Sequence, residues 1–191
     1  MVVIAISGMP GAGSSTIGEL LAKKLKLAFF SVGRYNKDEA KKYIKNEKET
    51  KRAVEFWKQD EKFLNSFHKK TDEMQIERAK KGNVVIEGKL AIHFLKDIAD
   101  YKIWLWAPMM IRAERIQMRD KIPFEEALKN LEEKEQLERE NWNKMYGFDY
   151  FSQREYADLV IDTSDKTTEE IVDFIIKKFK LKQSQHLQKG L

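Results

Sequence analysis

The 191-residue sequence predicts a three-layer α/β sandwich, a five-stranded parallel sheet with helices on both faces. Three observations predict it. Five short apolar runs rich in β-branched and aromatic residues have the character of strands covered on both sides. The stretches between them place apolar residues at helical spacing among charged ones. The first run, finally, passes through three glycines within six residues, Gly8, Gly11 and Gly13, directly into an amphipathic stretch. Strands alternating with helices imply right-handed crossovers and a parallel sheet.

Taken in order, Val2 to Ile6 is the first strand, and GMPGAGSST, residues 8 to 16, is the turn into a helix over about 14 to 26. Glycine lets backbone N–H groups close on an anion, and the helix aims its positive end at the same point. Gly8, Pro10, Gly11, Ala12, Gly13, Ser14, Ser15 and Thr16 are therefore the candidate phosphate cradle. The spacing GxxxxG is that of the P-loop motif, which continues with Lys and then Ser or Thr. Here Ser14 stands in the lysine's place, so the motif is complete in backbone and incomplete in charge, while Ser15 stands where a hydroxyl would hold Mg²⁺. The alternative is a tight strand-to-helix turn with no ligand.

Ala28 to Val32 is the second strand, ending in the Ser31-Val32-Gly33 turn. Residues 36 to 46 and 49 to 81 read as helical, with Val54, Trp57, Leu64, Phe67, Met74 and Ile76 on the apolar side. Gly82-Asn83 ends this excursion, Val84 to Ile86 is the third strand, and Glu87-Gly88-Lys89 follows it. Lys102 to Trp106 is the fourth, closed by Ala107-Pro108, and Leu159 to Ile161 the fifth, followed by Asp162-Thr163-Ser164 and a helix over about 168 to 179. Ligands of such sheets gather at the carboxyl ends of the strands. The glycine turn and these post-strand residues therefore share one rim.

Composition narrows the function classes. With no cysteine, a disulfide framework and a thiolate metal site are excluded, and a cytoplasmic location is the simplest expectation. No apolar run approaches the roughly 18 residues of a membrane span, and the run before the glycines is too short for a secretion signal. The net charge of +5 resides in the end of the chain, where Lys177, Lys178, Lys180, Lys182 and Lys189 meet no acid. The body is neutral, which speaks against nucleic acid as its partner. Residues 1 to 180 read as one domain and 181 to 191 as a basic, frayed tail, with a nucleic-acid (RNA) or membrane-surface contact as the tail's alternative role.

With these motifs in place, the chain resembles the nucleoside monophosphate kinases, and most closely the archaeal-type cytidylate kinases, over about residues 2 to 176. The resemblance rests on SGMPGAGSST, the Ser31-Val32-Gly33 turn, GNVVIEGK at 82 to 89, YKIWLWAP followed by IRAERIQMRD, and YGFDY followed by YADLVIDTS. It implies a P-loop NTPase-type sandwich in which about 34 to 81 is a monophosphate-binding lobe and about 119 to 145 a lid. It implies transfer of the γ-phosphoryl group of ATP to CMP or dCMP, aided by Mg²⁺. Chemistry of this kind needs placed positive charge more than acid or base work.

Arg112, Arg115 and Arg119 fall on one helix face, which on spacing alone is a solvated face. The resemblance assigns Arg115 and Arg119 to the donor phosphates and Arg139 to the reacting phosphates, Arg139 otherwise being a surface partner of Glu135 or Glu138. It assigns Ser31, Gly33, Lys37, Asp72 and Lys89 to the acceptor, with Lys89 also catalytic. The chain departs from the family pattern at Ser14, Arg34, Asn141 and His68, and carries lysine for arginine at Lys37 and Lys89. Lysine keeps the charge and loses the two-pronged grip on phosphate. Asp72 is otherwise a solvated helix acid. Glu87 either holds a water of the Mg²⁺ shell, beside Ser15, or bonds amides of its own turn. These departures leave a second function class open, a nucleotide-binding protein that has lost phosphoryl transfer and acts as a sensor or partner. The sequence gives no oligomeric state.

Overall fold

A computed structural model describes residues 1–45 and 47–189, with side chains as far as Lys180. Its centre is β1 (Val3–Gly8), buried along its whole length because it has a parallel neighbour on each side. Successive strand residues point to opposite faces, so a strand covered on both must be apolar throughout. β2 (Ala28–Ser31), β3 (Val84–Glu87), β4 (Tyr101–Trp106) and β5 (Leu159–Asp162) complete a parallel sheet in the order β2-β3-β1-β4-β5. Ile6 lies level with Glu87 on one side and Ile103 on the other.

The helices are α1 (Ser14–Leu25), α2 (Val32–Tyr43), α3 (Glu49–Trp57), α4 (Glu61–Lys80), α5 (Ala91–Phe94), α6 (Met109–Asp120), α7 (Phe124–Tyr146) and α8 (Thr168–Lys189). On one face Ile4, Ile6, Ile103 and Leu105 meet Ile17 and Leu21 of α1 and Ile171 and Ile175 of α8. On the other, Val3, Ala5, Ile86 and Trp104 meet Leu90 to Leu95, Trp57, Trp142 and Tyr150. A small satellite core, Ala113 and Ile116 against Ala127 and Leu131, joins α6 to α7. Among the described residues no helix is long and apolar enough to cross a membrane.

Four local readings change. The second strand stops at Ser31, because its Oγ accepts from the Arg34 N–H at 2.9 Å and caps α2, so the expected turn at Gly33 is the first turn of a helix. The 49 to 81 helix is two helices, broken at residues 58 to 60 where Asp60 Oδ1 accepts from the N–H groups of Lys62 and Phe63. The short α5 after β3 and a 3₁₀ turn over Tyr150–Tyr156 between α7 and β5 have no sequence periodicity to announce them. At the other end α8 runs to Lys189, through residues expected to fray, although their side chains lie outside the described set.

Gly8 is fixed by close packing of strands. A Cβ there would lie 2.4 Å from the Leu105 carbonyl oxygen of β4, a backbone atom that cannot swing away. Gly8→Ala should lose about 1–3 kcal/mol by overpacking, a fall of roughly 2–10 °C in Tm. Calorimetric melting checks this, and an unchanged Tm would mean that β1 and β4 are not held as tightly as described.

Candidate active site

At the carboxyl ends of β1, β2 and β3 the chain turns into α1, α2 and the Gly88-Lys89 loop. Gly11 and Gly13 hold positive φ of 81° and 87°, a left-handed backbone that glycine adopts without strain. Gly13 caps α1 with no side-chain hydrogen bond, and the first turn holds no acid. The first-turn N–H groups have no intrahelical acceptor, and with the helix dipole they form a positive concavity. They open on a cavity of about 610 Å³.

The cavity brings most of the expected residues together. Pro10 through Thr16 line one side, Gly33, Lys37 and Asp72 come from the helical excursion, Glu87 and Lys89 from the end of β3, and Arg115 and Arg119 from α6. Three residues do not line it. Gly8 serves through its backbone, Ser31 through Glu87, and Arg139 is exposed on α7, paired with Asp149 and set over the Phe151 ring at 4.8 Å. The partner is thus neither Glu135 nor Glu138.

Glu87 is 6% exposed, and the partners its carboxylate meets are side chains of other segments rather than amides of its own turn. Its carboxylate accepts from the hydroxyls of Ser14 (2.7 Å), Ser15 (3.1 Å) and Ser31. Burial of a carboxylate is costly unless it is hydrogen-bonded, and three hydroxyls satisfy it here. The same geometry sets Ser15 Oγ beside a carboxylate oxygen, a donor pair of the hard oxygen type that suits Mg²⁺. Among the described residues no cluster of three or more acidic or histidine side chains could hold a metal ion.

Lys89 reaches back across the sheet. Its Nζ donates to the Gly8 carbonyl oxygen at 2.8 Å and lies 3.8 Å from Glu138 Oε2. Desolvation pulls its ammonium down to about 8, against the raising pull of Glu138. Lys134, one turn before Glu138 on α7 and 3.7 Å from its Oε1, is also lowered, again first by burial. Lys37 pairs with Glu49 at 3.0 Å. Asp72 is 8% exposed, not solvated, and accepts from the Tyr146 hydroxyl and from Gln75 Nε2 (3.2 Å). Burial raises its carboxyl to about 7 despite those bonds.

The three α6 arginines separate by depth. Arg112, 3% exposed, donates to the Ala107 and Pro10 carbonyls and pairs with Glu135 at 2.7 Å, so it is a buried clamp and not part of a solvated face. Arg115 donates to Thr163 and, at 3.5 Å, to the Gly11 carbonyl, tying the end of β5 to the glycine loop. Arg119 pairs with Glu49 (2.6 Å) and with the buried Asp120. Sequence reasoning missed the cavity-lining residues Arg52, Lys134, Glu138 and Lys166-Thr167-Thr168. Nothing in the charged α7 sequence marks Lys134 and Glu138 from its other i,i+4 pairs. Arg112→Met should cost about 3–5 kcal/mol by stranding a half-buried Glu135. Adding Glu135→Leu should recover most of it, as measured by urea unfolding, and an additive double variant would contradict the clamp.

The architecture and the glycine loop define a P-loop kinase. In fold the chain is similar to shikimate kinase from Acinetobacter baumannii in complex with shikimate, with a TM-score of 0.60 at 20% identity over 95% of this chain and 94% of that one. A shikimate kinase from Aquifex aeolicus gives 0.55 at 22% identity, over 94% and 96%. The family is narrower than the fold. The model of the cytidylate kinase-like family matches residues 3–165. The cytidylate kinase of Pyrobaculum islandicum is 42% identical over 86% of this chain and 85% of its own length. That of Pyrobaculum neutrophilum is 35% identical over 98% and 100%, and that of Pyrococcus horikoshii 37% over 92% and 86%. The chain belongs to the cytidylate kinase-like family.

Proposed function

We propose that this kinase transfers the γ-phosphoryl group of ATP to CMP or dCMP. The observation that carries the reading is that one cavity joins the glycine loop and α1 terminus to basic and aromatic residues of α2, α3, α4 and α7. A phosphate donor and a phosphorylated acceptor can meet there in line.

The backbone N–H groups of Gly11 to Thr16 bind the donor's phosphates. Lys89, already seated on the loop's Gly8 carbonyl, supplies the cation that Ser14 lacks. Arg115 and Arg119 neutralise the donor's outer phosphates, while Lys37 and Arg52 face the acceptor phosphate from α2 and α3. Ser31, capping α2, sets Gly33 and that helix against the same region. Ser15 would hold Mg²⁺, with Glu87 on a water of its shell, and the metal would supply positive charge beside the donor's phosphates. Arg139 reaches the reacting phosphates when residues 119 to 145 close as a lid, with 34 to 81 closing as the acceptor lobe. That movement exchanges the Asp149 carboxylate for phosphate.

The test is a panel of nucleoside monophosphates with ATP and Mg²⁺, scored for diphosphate and repeated with Lys89→Met and Lys89→Arg. Lys89→Met should lose roughly 100- to 1,000-fold in kcat, the usual cost of one preorganised charge. A lysine with pKa near 8 is charged below that pH and loses its proton as pH rises through it. The wild-type kcat/KM, which reports the free enzyme, should therefore fall above about pH 8, and in Lys89→Arg it should not. ATP binding with no diphosphate from any acceptor would contradict the kinase reading and leave a nucleotide-binding protein.

A further inference from the structure

Glu49, the first residue of α3, lines the same cavity as the glycine loop. An acid there opposes every phosphate that enters, since like charges repel most strongly where water is scarce. Its surroundings show what it does instead. Glu49 Oε1 takes Lys37 Nζ at 3.0 Å and Arg119 Nη1 at 2.6 Å, so cations from α2 and α6 converge on one oxygen. Burial pushes the Glu49 carboxyl up, but the charges of Lys37, Arg119 and Lys134 hold it below its ordinary value, and it is ionised. An acid in the first turn also suits the dipole of α3, yet that role asks for no convergence of cations.

Beneath this contact lies a buried joint. Asp120, at the end of α6 and 5% exposed, accepts from the Thr50 N–H at 3.0 Å, capping α3, which has no side-chain cap from its own N-cap residue. Arg119 Nε donates to Asp120 Oδ1 at 2.8 Å and Nη2 to Thr50 Oγ1 at 2.6 Å. With Nη1 on Glu49, each guanidinium nitrogen is engaged. The joint keeps the start of α3 beside α6, whereas the Glu49 pairs are about one-third exposed and can exchange. Arg119 therefore meets a phosphate by giving up Glu49.

We infer that Glu49 couples the binding of the two nucleotides, its carboxylate holding the place of a phosphate oxygen between Lys37 and Arg119. An acceptor phosphate that takes Lys37 removes one of the carboxylate's cations and adds a negative charge beside it. Glu49 then swings away, and Arg119 is free for the donor. Whichever nucleotide binds first displaces the carboxylate and the second does not, so each tightens the other by the same factor. Glu49 is thus a positioning residue acting through Arg119 and Lys37. The inference rests on the proposed transfer between two nucleotides.

The experiment measures the calorimetric Kd of β,γ-methylene-ATP with Mg²⁺, alone and in saturating CMP. It compares wild type with Glu49→Gln, Glu49→Asp and Glu155→Gln, with Tm as the check on folding. Glu155 is exposed and does not line the cavity, so its variant removes the same charge elsewhere. CMP should tighten the wild-type complex about fivefold or more, within the usual range of coupling between sites. Glu49→Gln should bind the analogue alone roughly two- to fivefold more tightly, the scale of a partly exposed ion pair, and CMP should then change its Kd by less than about twofold. Glu49→Asp should keep more of the coupling than Glu49→Gln, and Glu155→Gln should behave as wild type. Independent binding in wild type overturns the inference without any variant. So does undiminished coupling in a folded Glu49→Gln, an equal effect of Glu155→Gln, or weaker analogue binding in Glu49→Gln. Coupling that vanishes in Glu49→Gln, in a protein making no diphosphate from ATP and CMP, supports the inference and overturns the kinase reading. Diphosphate formed without coupling overturns the inference alone, and no CMP binding overturns both.

Discussion

The bond on which the site depends is the buried carboxylate of Glu87 receiving the hydroxyls of Ser14, Ser15 and Ser31. Three segments meet there: the start of α1, the junction of β2 with α2, and the end of β3. Parallel pairing makes the meeting possible, since Glu87 lies level with Ile6 of β1 and Ser31 of β2. A buried carboxylate needs partners. Hydroxyls from the glycine loop provide them without placing a fixed cation in the loop, and this makes chemical sense of Ser14. It is the loop's link to Glu87, and on the proposed reading the positive charge comes instead from the loop after β3. Lys89, two residues beyond Glu87, donates from its Nζ to the Gly8 carbonyl at 2.8 Å.

The arginines of α6 show how one periodic pattern serves several ends. Arg112, Arg115 and Arg119 share a helix and a spacing, yet one is a core clamp, one ties β5 to the loop, and one sits at the cavity mouth beside Glu49. What separates them is depth beneath the glycine loop. Gly11 has no side chain, and a Cβ there would lie 3.0 Å from Arg112 Cβ, so the first arginine lies directly under the loop. Each later one is nearer to solvent.

The sheet was legible in the sequence because strands buried on both faces cannot alternate, and the glycine loop because positive φ and an open helix N-terminus demand those residues. The rim residues followed from topology, and all five expected strands lie within one or two residues of the predicted ends. Helix breaks were less legible. Apolar spacing continues across residues 58 to 60, and only the Asp60 cap marks the interruption. The buried polar set was illegible. No sequence signal marked Lys134 or Glu138, and His68 stood out only as a departure from the family pattern; the cavity is what brings the three together. Arg139 illustrates the converse, since resemblance names it and the structure holds it outside, on Asp149. Resemblance supplied roles for particular arginines, whereas periodicity could supply only their face.

The central claim is that Lys89, in the loop after β3, does the work of the absent glycine-loop lysine. A crystal structure with β,γ-methylene-ATP, Mg²⁺ and CMP tests it most directly. The account predicts that Lys89 Nζ leaves the Gly8 carbonyl and lies within hydrogen-bond distance, about 3 Å, of a β- or γ-phosphate oxygen. Lys89 still bonded to Gly8, with an arginine alone on those oxygens, would contradict it.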